Sequence, residues 1–246
     1  AWKKIKKFAI PLAPAGVFWI ILEFSDRKML EFLIPTNSLE AVGTYGVGYK
    51  LGAIMLLIVY GFNYAWRPYF LKAKDESQFS NISNYVFYFL GFFWLLLVLF
   101  IGDIIALNIP FLNKPLISNQ YLKGLDIVPL ISLSYIFHAS FILQEAGPFL
   151  KNKKTENISI SRGIGVILNL ILNLILIPYY HQFDKAYLGA AIATIISYFI
   201  MSCTIYLWNR SIFDFKYNWN IVGGIILFMG TAWIISKYNI KIYAAI

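Results

Sequence analysis

The chain has 246 residues, of which 59% are hydrophobic and only 13% are charged, and its formal net charge is +9. Soluble domains carry about 25% charged residues, so this composition excludes an ordinary soluble domain and indicates a multi-pass membrane protein. The excess of Lys and Arg does not indicate a nucleic-acid-binding protein, because these residues lie between apolar blocks and not on a soluble face.

Seven apolar segments are long enough to cross a bilayer, which takes about 20 mostly apolar residues per helix. Their approximate bounds are 8–34, 42–70, 82–110, 123–150, 156–178, 187–208 and 219–236. Runs of this length exclude the strands of a membrane barrel, which are about ten residues long. The sequence therefore predicts an all-α polytopic membrane bundle of about seven transmembrane helices.

The distribution of Lys and Arg predicts how these helices are oriented, since cytoplasmic loops carry an excess of both. With the N-terminus in the cytoplasm, twelve of the 21 Lys and Arg residues fall in cytoplasmic segments and five on the opposite side. We therefore expect the N-terminus to face the cytoplasm and the loop at 34–41 to face outside. A seventh span would then place the C-terminus outside.

The stretch "WIILEFSDRKMLEF", residues 19–32, carries five charges inside the first predicted span. A charge at the centre of a membrane helix costs roughly 2.5–3.5 kcal/mol on insertion scales, and such residues usually face a hydrated pathway. Asp26 and Arg27 reach about the same depth as Lys50 of the antiparallel second span, and Glu23 shares a helix face with Arg27. We expect Asp26, Arg27 and Lys50 to form one cavity-facing polar cluster, with buried ion pairs as the structural alternative.

A second charged level is predicted in the inner half of the membrane. Glu145, near the end of the fourth span, and Arg162, near the start of the fifth, reach the same depth and are candidates for a polar pair. Because Arg162 is close to a span end, its side chain is also expected to extend toward the interface. His138 lies mid-span with no second His or Cys nearby, so a helix-packing role is favoured over a metal ligand or a proton relay.

Small residues predict close helix contacts in two spans, because they let backbones approach each other. The residues concerned are Gly43, Gly46, Gly48 and Gly52 in the second span and Gly189, Ala190, Ala191 and Ala193 in the sixth. No catalytic or metal-binding motif is present: the sequence has no DxD, no glycine-rich phosphate loop with Lys, no His/Glu metal spacing and no GxSxG. The sequence therefore predicts no enzyme, no metal site and no cofactor.

Several ordered blocks resemble one family of membrane transporters. The first, "SDRKMLEFLIPTNSLEAVGTYGVGYKLGAIMLLIVYGFNYAWRPYFLK" at 25–72, resembles the start of the C-terminal half of the O-antigen (Wzx-type) polysaccharide flippases, within the multidrug/oligosaccharidyl-lipid/polysaccharide exporter superfamily. The blocks "YLKGLDIVPLISLSYIFHASFILQEAGPFLKNKKT", "NLILNLILIPYY" and "YLGAAIATIISYF" are similar to later blocks of that family. The resemblance implies that residues 1–208 form the C-terminal six-helix lobe, that 209–246 add a transmembrane helix and a tail, and that the partner N-terminal lobe is absent from this chain.

The resemblance implies a flippase of the bacterial cytoplasmic membrane that acts by alternating access. Its cargo would be an undecaprenyl-diphosphate-linked oligosaccharide, such as an O-antigen or other surface polysaccharide repeat unit, and its surroundings would be membrane lipids. Arg27 and Lys50 would attract the diphosphate. Glu23 and Asp26 would hold Arg27 when cargo is absent, or accept a coupling ion, H⁺ or Na⁺. Aromatic residues expected either to stack on sugars or to pack between spans are Trp19, Tyr45, Tyr49 and Trp66.

Three other functions remain as alternatives. An ion-coupled drug or cation exporter of the same superfamily should have a cavity dominated by acidic groups, whereas the outer level here is mixed with a cationic bias. An integral-membrane acyltransferase using His138 would need a second polar partner, which the sequence does not supply. A scaffold without transport activity is the third alternative.

Overall fold

The computed structural model describes residues 2–72, 79–106, 117–152, 155–210 and scattered positions between 217 and 231. The regular elements in these ranges are all helical. The α-helices are α1 (Trp2–Leu33), α2 (Ser38–Gly52), α3 (Ile54–Lys72), α4 (Phe79–Ala106), α5 (Val128–Gln144), α6 (Glu156–His181) and α7 (Ala186–Asn209). A 3₁₀ segment, Asn119–Ile127, leads into α5, and a π-helical turn, Pro148–Asn152, follows it.

Six segments of the described chain are long and apolar enough to cross a membrane. They are Ala9–Leu33, Ser38–Lys72, Phe79–Ile101, Asn119–Leu150, Glu156–His181 and Ala186–Asn209. The predicted all-α, multi-pass membrane architecture is therefore confirmed, with α2 and α3 together forming one span. The seventh predicted span, 219–236, lies largely outside the described residues.

Helix α5 lies at the centre of the bundle. It packs against α2, α3, α4 and α7, and its span is 72% buried, whereas the α1 span is 17% buried. A helix that is covered on all sides must satisfy its polar side chains internally. Ser132 and Ser134 do so by donating to the carbonyl oxygens of Val128 and Ile131 in the preceding turn.

Two glycines allow the helix contacts that surround the polar interior. A Cβ at Gly189 of α7 would lie 2.5 Å from the carbonyl oxygen of Leu176 in α6, so only glycine permits this approach. A Cβ at Gly48 of α2 would collide with the carbonyl oxygen of Gly124 in the 3₁₀ segment. Gly46 differs, because nothing lies within 4 Å of its Cβ position. The small-residue pattern thus identifies close contacts, including those at Gly43 and Gly52, but not the direction in which each glycine points.

Candidate functional site

Asp26 lies in the interior, between α1, α2, α6 and α7, with only 1% of its surface exposed. Its Oδ1 accepts hydrogen bonds from Nδ2 of Asn173 at 2.7 Å and Nδ2 of Asn169 at 3.1 Å. Its Oδ2 accepts from the hydroxyl of Tyr45 at 2.5 Å and from the hydroxyl of Thr194. An ionised carboxylate has about four acceptor positions, so these four neutral donors satisfy it completely.

The donors around Asp26 can also present oxygen atoms. The Thr194 hydroxyl lies within hydrogen-bond distance of both Asp26 and the carbonyl oxygen of Ala190, at 3.0 Å, yet carries one hydrogen. The Oδ1 atom of Asn173 is buried and has no hydrogen-bond partner. Rotating that amide would turn its oxygen toward the carboxylate, beside the Thr194 oxygen. Such an oxygen-lined pocket can hold a proton on Asp26 or a hard cation such as Na⁺.

Glu23, one turn before Asp26 on α1, is bonded by tyrosines. The hydroxyls of Tyr49 and Tyr135 donate to its Oε1 at 2.5 and 3.0 Å. The hydroxyl of Tyr198 lies 3.5 Å from its Oε2, and Tyr135 also lies 2.7 Å from the Tyr49 hydroxyl. All three tyrosines are buried. Among the described residues, both outer carboxylates are therefore stabilised by neutral donors and by no cation.

Arg27 is at the edge of this interior. Its guanidinium carbon lies 4.4 Å from the centroid of the Tyr49 ring, and its Nη1 donates to the backbone carbonyl of Glu23 at 3.3 Å. Tyr49 thus lies between the two charged groups: its ring faces the Arg27 guanidinium, and its hydroxyl is bonded to the Glu23 carboxylate. The expected ion pairs between Arg27 and Glu23 or Asp26 are not formed. Asp26 and Arg27 are successive residues and point about 100° apart on the helix, whereas Glu23 shares the face of Arg27 but is bonded to the Tyr49 hydroxyl.

The predicted cluster of Asp26, Arg27 and Lys50 is also not formed. Lys50 is exposed on α2, although Tyr49 beside it is buried, and it makes no ion pair with Glu23 or Asp26. Depth along a helix follows from residue number, but the direction of a side chain depends on which face packs inward. The structure therefore keeps Asp26 inside, Arg27 at the edge and Lys50 outside.

The inner level brings Glu145 and Arg162 together. Nη2 of Arg162 lies 2.9 Å from Oε1 of Glu145, and the Arg162 side chain is 14% exposed. The expectation that Arg162 extends to the interface is therefore wrong for this arrangement. Arg67 of α3 joins the pair, with its Nη2 3.3 Å from Oε2 of Glu145. Arg67 is not among the candidate site residues that the sequence predicts.

His138 is a packing residue in this structure. It is 2% exposed, its ring is nearly parallel to that of Phe141 at 6.3 Å, and it meets the edge of Tyr198 at 5.4 Å. Its Nδ1 has no hydrogen-bond partner. Within the described part of the chain, this nitrogen thus lacks the polar partner that an acyltransferase histidine would need.

The aromatic candidates divide into two groups. Tyr45, Tyr49 and Trp66 are buried, with at most 4% exposed, and so pack between helices or support the carboxylates. Trp19 is half-buried, and its ring lies 6.4 Å from that of Tyr60 across the gap between α1 and α3. Of the four, Trp19 is the one whose surface position fits contact with a sugar.

Several functional side chains were missed at the sequence level. They are Asn169, Asn173 and Thr194 around Asp26, and Tyr135 and Tyr198 around Glu23. A signal for the asparagines exists in "NLILNLILI", where two amides four residues apart interrupt an otherwise apolar run. This spacing puts both amides on one face of α6, whereas no local pattern distinguishes the tyrosines from other aromatic residues of the spans.

No cluster of three or more His, Cys, Asp or Glu residues that could hold a metal ion occurs in the described part of the chain. A single carboxylate surrounded by neutral hydroxyl and amide groups, as at Asp26, is a different kind of site, and with the Asn173 amide rotated it is suited to a proton or a monovalent cation. No family model, curated protein or solved structure matches this chain.

Proposed function

We propose that this chain is one lobe of a cation-coupled flippase that moves an undecaprenyl-diphosphate-linked oligosaccharide across the bacterial cytoplasmic membrane. The observation that carries the proposal is the outer site, where Glu23 and Asp26 are buried inside a membrane span and Arg27 lies at their edge. Ionisable residues at such depth are costly and usually mark an ion or substrate pathway. The second lobe of the transporter would come from an N-terminal half.

Arg27 is the residue proposed to bind the diphosphate. A guanidinium stays charged at any accessible pH and offers five donors in a fixed fork that matches phosphate oxygens. In the structure Arg27 uses one donor on a backbone carbonyl, at 3.3 Å, and stacks on Tyr49. The other donors are available to cargo. Lys50, exposed on α2, would supply a second positive charge on the approach to this site.

Asp26 is the residue proposed to bind the coupling ion, H⁺ or Na⁺. A cation on Asp26 would compete with the hydroxyl of Tyr45 for Oδ2 and change the position of that ring. The Tyr45 ring lies 5.5 Å from that of Tyr49, on which Arg27 stacks. This chain of contacts links the ion site to the diphosphate site, so that occupancy of one alters the other. The cycle proposed is a rocking of this lobe against the other one.

An ion-coupled drug exporter is the second candidate, because the two buried outer groups are both acidic and a cationic drug could be attracted to them. The two proposals differ in what Arg27 does. It would bind the cargo of a flippase, but it would repel a cationic drug, so Arg27→Ala should lower glycan export in the first case and leave or raise drug resistance in the second.

The test is surface glycan in flippase-null cells that carry the full-length protein containing this chain. We expect Arg27→Ala to abolish export with protein abundance nearly unchanged, and Arg27→Lys to keep part of it, since the charge remains but the fork is lost. Lys28→Gln is the matched control, because Lys28 is the next residue, is exposed, and pairs with Glu31 at 2.8 Å. Normal export by Arg27→Ala, or equal loss in the Lys28 control, would contradict the proposal.

A further inference from the structure

A second group of charges lies toward the end of the bundle opposite to the site of Glu23 and Asp26. It is formed at the end of α3, the end of α5 and the start of α6. Glu145 is 2% exposed and lies between Arg67, whose side chain is 51% exposed, and Arg162, whose side chain is 14% exposed. One carboxylate thus serves two guanidinium groups, and the group carries an excess positive charge. On α1, Ala15, which contacts Arg162, lies eight residues before Glu23, or about 12 Å along the helix axis.

The backbone around Glu145 is fixed by an unusual helix end. Pro148 has no N–H, so the carbonyl oxygen of Gln144, four residues earlier, loses its helical partner. Nδ2 of Asn209 in α7 donates to that oxygen at 2.7 Å and to Oε1 of Gln144 at 2.9 Å. The π-helical turn Pro148–Asn152 follows, a geometry that is frequent at functional sites. Glu145 therefore projects from a well-anchored point.

Arg162 is also held in place. Its Nη1 donates to the backbone carbonyl of Ala15 at 3.1 Å, and its guanidinium carbon lies 5.1 Å from the ring centroid of Phe141. Its Nε is buried with no hydrogen-bond partner. Arg67 reaches Glu145 with one nitrogen at 3.3 Å, and about half of its side chain is exposed. The two guanidinium groups thus have unused donors as well as a shared anionic partner.

We propose that Arg67 and Arg162 form a phosphate-binding site that Glu145 occupies when no ligand is bound. The ligand class is the phosphate or diphosphate group of a membrane lipid, which would enter past the exposed Arg67 and displace the Glu145 carboxylate. A phosphate presents the same kind of paired oxygens that the carboxylate now presents to the two arginines. The assignment of a lipid as the source rests on the proposed function, and the site would capture the headgroup before it reaches Arg27.

A static ion-pair lock is the competing interpretation, and the two differ in how Glu145→Gln responds to anions. If the Glu145 carboxylate occupies a phosphate site, Glu145→Gln removes the competing negative charge, so pyrophosphate can bind to Arg67 and Arg162. If the three residues only lock the helices together, Glu145→Gln destabilises the bundle and pyrophosphate does not restore it.

The experiment measures the Tm of the purified full-length protein in detergent, titrated with inorganic pyrophosphate at constant ionic strength. We expect Glu145→Gln to bind pyrophosphate at least tenfold more tightly than the unmodified protein, and to regain Tm as it binds. Adding Arg67→Gln or Arg162→Gln to Glu145→Gln should weaken binding about tenfold, because each removes a charge-assisted hydrogen bond. Adding Lys28→Gln, which removes the same charge elsewhere, should not.

Equal affinity in Glu145→Gln and in the double variants would overturn the site. A second arm replaces pyrophosphate with farnesyl diphosphate: tighter binding than pyrophosphate supports a lipid headgroup, whereas equal binding overturns the lipid assignment. Glycan export provides the separation from the proposed function. If pyrophosphate binding does not depend on Arg67 and Arg162, but glycan export depends on Arg27, this site alone is rejected. If pyrophosphate binding depends on Arg67 and Arg162, but export does not depend on Arg27, the flippase proposal alone is rejected.

Discussion

The two buried polar regions of this bundle stabilise carboxylates by opposite means. Asp26 is surrounded by four hydroxyl and amide donors, whereas Glu145 lies between two guanidinium groups. Neutral donors satisfy a carboxylate without fixing its charge, so a proton or a cation can still be added to it. The two arginines pair with the Glu145 carboxylate, so another anion can take its place there. This difference underlies the two proposals, a cation at the first region and a phosphate at the second.

The largest expected difference between the two regions appears on neutralising Glu145. Glu145→Gln removes the shared anion of Arg67 and Arg162, and breaking a buried ion pair costs about 3–5 kcal/mol. Because Arg67 is half exposed and can be hydrated, we expect a loss of roughly 2–3 kcal/mol in the free energy of unfolding. Denaturant unfolding in detergent measures it. Glu31→Gln, which neutralises an exposed carboxylate paired with Lys28, is the control and should change little.

The Glu23 environment should show a smaller effect. Tyr49→Phe removes the hydroxyl that donates to Glu23 at 2.5 Å and keeps the ring beneath Arg27. Tyr135 still donates to the same oxygen, so we expect a loss of about 1–2 kcal/mol. Tyr64→Phe is the matched control, since Tyr64 is 85% exposed on the neighbouring α3. Equal stability of the two variants would show that the Glu23 contacts contribute nothing.

Neutralising Asp26 should lower the free energy of unfolding by less than neutralising Glu145 does. This pair of variants compares the two buried carboxylates directly. The amide of Asp26→Asn keeps one acceptor oxygen, and its NH₂ group, at the position of Oδ2, can donate to the Thr194 oxygen. We expect a loss of about 1 kcal/mol. Under the proposed function glycan export should nevertheless be lost, because the amide could not hold the coupling ion that we propose for Asp26. If Asp26→Asn lost as much stability as Glu145→Gln, the neutral donors around Asp26 would depend on its charge as strongly as the arginines depend on that of Glu145, which would contradict the comparison.

The smallest stability effect is expected at the edge of the outer site. Arg27→Gln removes one cation–π contact and one hydrogen bond at 3.3 Å, which together contribute about 0.5–1 kcal/mol at a partly exposed position. Thermal unfolding in detergent, compared with the Lys28→Gln control, measures this difference. A loss above that of Glu145→Gln would mean that Arg27 is a structural residue, contrary to the role proposed for it.

The sequence alone predicted the features that depend on local composition. Mean hydropathy and run length predict the six described spans, because crossing a bilayer demands about 20 apolar residues whatever the helix packs against. The same rule picks out Glu23, Asp26, Glu145 and Arg162, since a charge inside such a run is conspicuous. Depth, which follows from residue number at 1.5 Å per residue, also places Glu145 and Arg162 at one level, where the structure pairs them.

Only the tertiary structure decided which way each of these side chains points and what it meets. Asp26 and Arg27 are adjacent in sequence, yet one is enclosed by donors from α2, α6 and α7 and the other lies at the edge of the bundle. The donors lie up to 168 residues away in the chain, so no local pattern encodes the contact. Lys50 is predicted at a similar depth on α2, but its side chain is exposed and does not point into the same interior. The physical reason is that hydropathy acts along the chain, whereas burial depends on which helix faces come together.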